Sequence, residues 1–115
     1  MTTVFDDVEA VHPFGQYVVR RARPEDCAEY SRLDAELVSA TYAAVMPAEF
    51  AERQFADVPE AAVRREAEFA RDLASEAAGS EPERRTWTAS DAGRMVAIAV
   101  SRNSPQEWEG ALAAE

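Results

Sequence analysis

One thiol, one imidazole and a few acid pairs are the residues of this chain that could most readily do chemistry. Cys27 is the only cysteine. It follows Pro24-Glu25-Asp26, residues suited to a first helical turn. The positive end of the helix dipole there favours a thiolate. Cys27 also falls on an apolar three-and-four spacing, which predicts burial rather than reactivity. His12 stands beside Pro13 with no histidine or cysteine near it to share a metal, so it reads as a packing or surface residue. Asp6-Asp7 and Glu25-Asp26 pair carboxylates. Neighbouring acids without histidine or a glycine-bearing calcium loop read as surface and cap residues. Phosphate-loop, nucleophile-elbow and zinc patterns are absent.

The elements that must position any site are organised around residues 85–102. Arg85–Ser90 is β-type in composition. Asp91-Ala92-Gly93 supplies a turn, read as a three-residue loop ending in a left-handed glycine. Met95-Val96-Ala97-Ile98-Ala99-Val100 is apolar on both faces, which predicts a strand covered on both sides inside a sheet. Upstream, Tyr17-Val18-Val19 opens another strand that runs to about Arg23. The helix after it carries Cys27, Tyr30, Leu33, Leu37, Thr41 and Ala44 on one face and stops at Pro47. A short helix over 48–55 presents Phe50 and Phe55. Asp57-Val58-Pro59-Glu60 reads as a capping box for a further helix to about Ala78. Its expected buried stripe is Ala62, Val63, Phe69, Ala70, Leu73 and Ala77, and Gly79 is its stop.

The order β-α-(α)-α-β-β predicts an α/β (α+β) layered domain with a mainly antiparallel sheet. Residues 1–15 are expected to form an irregular leader arm, residues 16–102 the domain, and residues 103–115 an irregular tail. At 115 residues and 47% hydrophobic content the chain suits one core. A formal net charge of −10 repels phosphate backbones, so nucleic acid is not an expected partner; cationic amines are compatible. No stretch reaches the ~20 apolar residues of a membrane span. The single cysteine favours a cytoplasmic setting.

Several local patterns, in order, resemble the N-terminal half of the GNAT N-acetyltransferases over about Tyr17–Arg102. Val18 to Asp26 looks like the family's opening strand running into its first helix. Tyr42 to Phe50, with Met46-Pro47-Ala48-Glu49-Phe50, looks like the link between its first two helices. Trp87 to Ala99 looks like its second and third strands around an acidic-glycine turn, with Ala97 where the family often has glycine. The resemblance implies the acyl-CoA N-acyltransferase fold, acetyl-CoA as co-substrate, and a small-molecule or peptide amine as acceptor. It implies an acceptor cleft near Tyr42, Met46, Glu49 and Phe50, the last three being close in sequence. It assigns no catalytic base. The family's acetyl-CoA loop has no counterpart, since Gly110 is the only glycine after Gly93. The expectation is therefore a truncated half that does not bind acetyl-CoA alone. The alternative is a non-catalytic acidic α/β module, a homo-oligomer formed through the strand Met95–Val100.

Overall fold

A computed structural model describes residues 11–102, with side chains from residue 15. The elements are β1 (Val11–Phe14), β2 (Tyr17–Arg21), a 3-10 turn (Pro24–Asp26), α1 (Cys27–Tyr42), α2 (Ala48–Ala56), α3 (Val58–Ala77), β3 (Arg84–Asp91) and β4 (Arg94–Arg102). They make a mixed α/β domain with one antiparallel sheet in the order β1-β2-β3-β4. The three strands expected from composition are present. The fourth, β1, corrects the expectation of an irregular arm over 1–15: its backbone pairs with β2 from Val11↔Arg20 to Phe14↔Tyr17. Pro13 hid it, yet proline is tolerated in a strand at a sheet edge, which β1 is. The rest of the arm and the tail over 103–115 lie outside the described residues.

The β3–β4 turn is tighter than expected. Asp91 pairs with Arg94, leaving only Ala92 and Gly93 between the strands, at φ +51° and +81°. Two consecutive positive φ values define a two-residue type I′ turn, whose twist matches that of the strands. Just beyond it, Ala89 pairs with Ala97 and Ser90 with Met95, so Val96 is the extra residue of a bulge. Glu29 Oε1 accepts the Met95 N–H at 2.7 Å and ties α1 to the bulged strand.

Helix boundaries follow local chemistry. Pro24 opens the 3-10 turn and Pro47 precedes α2. At the end of α3 the Ser80 N–H donates to Ser75 O and the Gly79 N–H to Glu76 O, with Gly79 at φ +87°. This is a Schellman stop, for which glycine is suited. The capping box at Asp57 is not formed. Asp57 is helical (φ −84°, ψ −5°), makes no side-chain cap bond, and stands between the helices as the C-cap of α2 and the N-cap of α3. One helix follows the other without the extended residue that a cap requires.

The apolar core is small. Ala22, Tyr30, Phe69 and Met95 form it, with Cys27, Leu33 and Ile98 packed partly against it. Tyr30 and Phe69 meet edge-to-face at 5.2 Å. Cys27 thus sits on the packing side, as its spacing implied. The expectation that Met95–Val100 is covered on both sides is overturned. Among the described residues strand β4 lies at the sheet edge; Met95 is buried and Ile98 half-buried, but Val96 and Val100 are exposed. Trp87, on the central strand β3, is only half-buried and lies 5.1 Å beneath the Arg21 guanidinium.

The α3 stripe is also corrected. Val63 is 71% exposed, and Ala70 and Ala77 face solvent. Phe69 is buried and Ala62 and Leu73 are half-buried, as expected, but Arg65, Glu68, Asp72 and Glu76 are withdrawn from solvent with them. The three acids meet arginines from β2 and β3. Arg84 lies 3.2 Å from Asp72 and 3.7 Å from Glu68. Glu76 takes Arg85 at 3.1 Å and Arg21 at 2.6 Å. The Arg21 contact is an ion pair without hydrogen-bond alignment, since Glu76 Oε2 and Arg21 Nε lack hydrogen-bond partners. The seam between helix and sheet is therefore charged as much as apolar.

Candidate functional site

The corner where α1 gives way to α2 holds the residues that the resemblance singled out. Tyr42 closes α1, and its carbonyl accepts the Met46 N–H at 2.9 Å, which rounds the chain toward Pro47. The extended Pro47 (ψ 161°) starts α2, and its carbonyl accepts the Phe50 N–H at 3.0 Å. That geometry returns Phe50 to Tyr42: the rings meet edge-to-face at 5.9 Å. Met46 is exposed and Glu49 stands exposed in the first turn of α2. Leu37, Val45 and Phe55 extend the exposed apolar surface. The structure thus joins Tyr42 to Phe50, with Met46 and Glu49 adjacent in the chain. The four form a ridge on the surface and line neither of the two helix clefts described next.

The first cleft, about 200 Å³, opens between the three helices and is bordered by Ser31, Asp34, Gln54, Asp57, Glu60 and Arg65. Arg65 spans it, donating to Asp34 at 2.9 Å and to Ser31 Oγ at 3.1 Å. The second, about 260 Å³, lies between α3, Tyr30 of α1 and the β3–β4 side of the sheet. Its walls include Arg64, Arg65, Arg84 and Arg102, with Glu68 the one carboxylate. Burial pushes the Tyr30 phenol above its ordinary range; the Arg65 and Arg84 charges pull against that, and Asp34 and Glu68 add to it. Arg65 also stacks 5.0 Å over the Tyr30 ring.

A third cluster fixes the entry to α1. Arg20 grips Asp26 with both guanidinium nitrogens at 2.7 Å, and the Arg23 N–H donates to the same carboxylate at 2.8 Å. Burial raises the Asp26 pKa, but the Arg20 fork, the Arg23 N–H and the two positive charges outweigh it, leaving the carboxyl below its usual range. This cluster is architectural: it pins the end of β2 to the helix start.

Composition and periodicity did not reveal the arginine cleft. A signal was present in the spacing of Arg65, Glu68, Asp72 and Glu76, a charged face at helical steps, and in the Arg84-Arg85 pair opposite. Among the described residues, no group of histidine, cysteine and acids is placed to hold a metal, and no helix is long and apolar enough to cross a membrane. Comparison with protein-family models, curated proteins and solved structures finds no match.

The described residues do not fit acetyl-CoA. Their glycines, Gly15, Gly79 and Gly93, all lie in turns or at a helix C-terminus. The residues preceding α1, α2 and α3 are Asp26, Pro47 and Asp57. A pyrophosphate needs a glycine-lined backbone approach at a helix N-terminus, without carboxylates beside it.

Proposed function

We propose that this chain is the acceptor-binding half of an acetyl-CoA-dependent N-acetyltransferase fold, working in the cytoplasm, whose cofactor half pairs onto β4. The observation that carries the reading is topological. Three helices are inserted between β2 and β3 of an antiparallel sheet, and the sheet ends at β4, which has no partner on its outer edge among the described residues. This is the order that the resemblance to the GNAT family implies. The ridge Tyr42, Met46, Phe50 supplies apolar walls for a small-molecule or peptide amine, and the Glu49 carboxylate attracts its ammonium group. Because the described residues do not fit acetyl-CoA, no catalytic step is assigned to this chain alone.

Two titrations test the reading. In the first, an isotopically labelled chain receives butylamine or spermidine; saturable NMR shifts are expected at Tyr42, Met46 and Phe50, weakened by Glu49→Gln. Absence of shifts there overturns the acceptor assignment. In the second, acetyl-CoA is added in a calorimeter, and no micromolar isotherm is expected; a one-to-one isotherm in that range overturns the assignment of the cofactor site to another half.

A second reading, a non-catalytic acidic module that associates with copies of itself, is favoured by the exposure of Val96 and Val100 on that same open strand.

A further inference from the structure

In a chain of formal net charge −10, four of the twelve arginines line a single cleft. We propose that this cleft, between α3 and the β3–β4 side of the sheet, binds an oxyanion, a carboxylate or phosphate group carried by a small molecule.

Tyr30 and Thr86, 4% and 5% exposed, line the cleft, and each carries a hydroxyl that can donate to an acceptor atom held there.

The arginines fall into two kinds. Arg65 is held by Asp34 and Ser31, and Arg84 by Asp72 and Glu68. These pairs fix both guanidinium groups in place while leaving part of each five-donor fork unused. Arg64 is mostly exposed and reaches Glu68 only at 4.0 Å. Arg102, at the end of β4, is exposed and has no ion pair among the described residues. A planar fork of this kind matches the oxygens of a carboxylate or phosphate. Glu68 is the one opposing charge in the wall, and Arg84 and Arg64 flank it. Asp34 and Asp72 hold Arg65 and Arg84 from outside the wall, and Arg64 and Arg65 also border the first cleft, which carries Asp57 and Glu60. At about 260 Å³ the cleft falls just below the usual range of small-molecule pockets and suits a charged head group rather than a whole large ligand. The ridge around Tyr42 is a separate surface, so this inference stands or falls apart from the acetyltransferase reading.

Inorganic phosphate and succinate serve as probes in an NMR titration at constant ionic strength, with chloride as the reference anion. Saturable shifts are expected at Tyr30, Thr86 and the arginine side-chain signals of the cleft, and the tighter of the two probes names the group. The double variant Arg64→Gln/Arg102→Gln, at two exposed positions, is expected to weaken binding about tenfold or more. Arg32→Gln, on the exposed side of α1, is expected to leave it unchanged. A response that does not saturate, that chloride reproduces, or that the double variant leaves intact overturns the proposal.

Discussion

The seam between α3 and the sheet and the corner between α1 and α2 distribute their side chains in opposite ways. At the seam, Arg21, Asp72 and Glu76 are withdrawn from water, and each meets an opposite charge. At the corner, Leu37, Tyr42, Val45, Met46 and Phe55 are exposed, Val45 by 75%. A buried charge is tolerated only when paired, whereas an exposed apolar group costs little singly and in a cluster marks a contact surface. The difference teaches that burial does not follow hydrophobicity in this chain. Ion pairs and a small apolar cluster together hold helix to sheet, and apolar surface is left facing outward at the corner.

Stability measurements can break that comparison. The largest effect is expected at the apolar core beside the seam: Phe69→Ala removes the ring that meets Tyr30 of α1 and costs about 4 kcal/mol, read from the midpoint of a urea melt. A shift under about 1 kcal/mol would mean that ion pairs alone hold the seam. Glu76→Ala comes next. It strips two arginines of their shared partner, one of them almost wholly buried, and should cost about 3 kcal/mol. An unchanged midpoint would show that Arg21 and Arg85 reach water.

Asp26 sharpens the picture through pH. Its carboxyl is held below the usual range, so the folded state favours the ionised form. The resulting stabilisation is fully present above the unfolded value of about 3.9 and is lost as pH falls through the lower folded value. Asp26→Asn should cost about 2 kcal/mol near neutrality, where the Arg20 fork loses its charged acceptor. The gap between variant and parent should narrow below about pH 4. A constant gap from pH 7 to pH 3 would rule out this linkage. The smallest effect belongs to the corner, where Val45→Ser should change stability by no more than about 0.5 kcal/mol; a larger loss would place the corner in the core.

Where a residue acts on its own neighbours, the sequence was readable. Pro24, Pro47 and Gly79 bound the helices because their constraints are local. The β-rich runs around Gly93 formed the hairpin for the same reason. Readings failed where the deciding partner lay far along the chain. The charged inward positions of α3 were missing from the expected stripe because Arg84 and Arg85, which pair with them, belong to the next element. The strand Met95–Val100 looked central because its composition is apolar, but its place at the edge depends on what pairs beyond it. The box at Asp57 failed because α2 runs on into α3. The ridge residues were named by resemblance, and the Tyr42–Phe50 contact follows from the turn at Pro47. The arginine cleft needs three elements at once, so no single window of sequence contains it.

The central proposal is that the outer edge of β4, unpaired among the described residues, is where another strand adds. Sedimentation equilibrium of the intact chain over a wide concentration range tests it most directly. With no second half present, reversible self-association is expected. The variant Val96→Lys/Val100→Lys, at two exposed positions on that strand, should abolish it while leaving the circular dichroism spectrum unchanged. A strict monomer at the highest concentration, or an oligomer indifferent to the two lysines, would contradict the account.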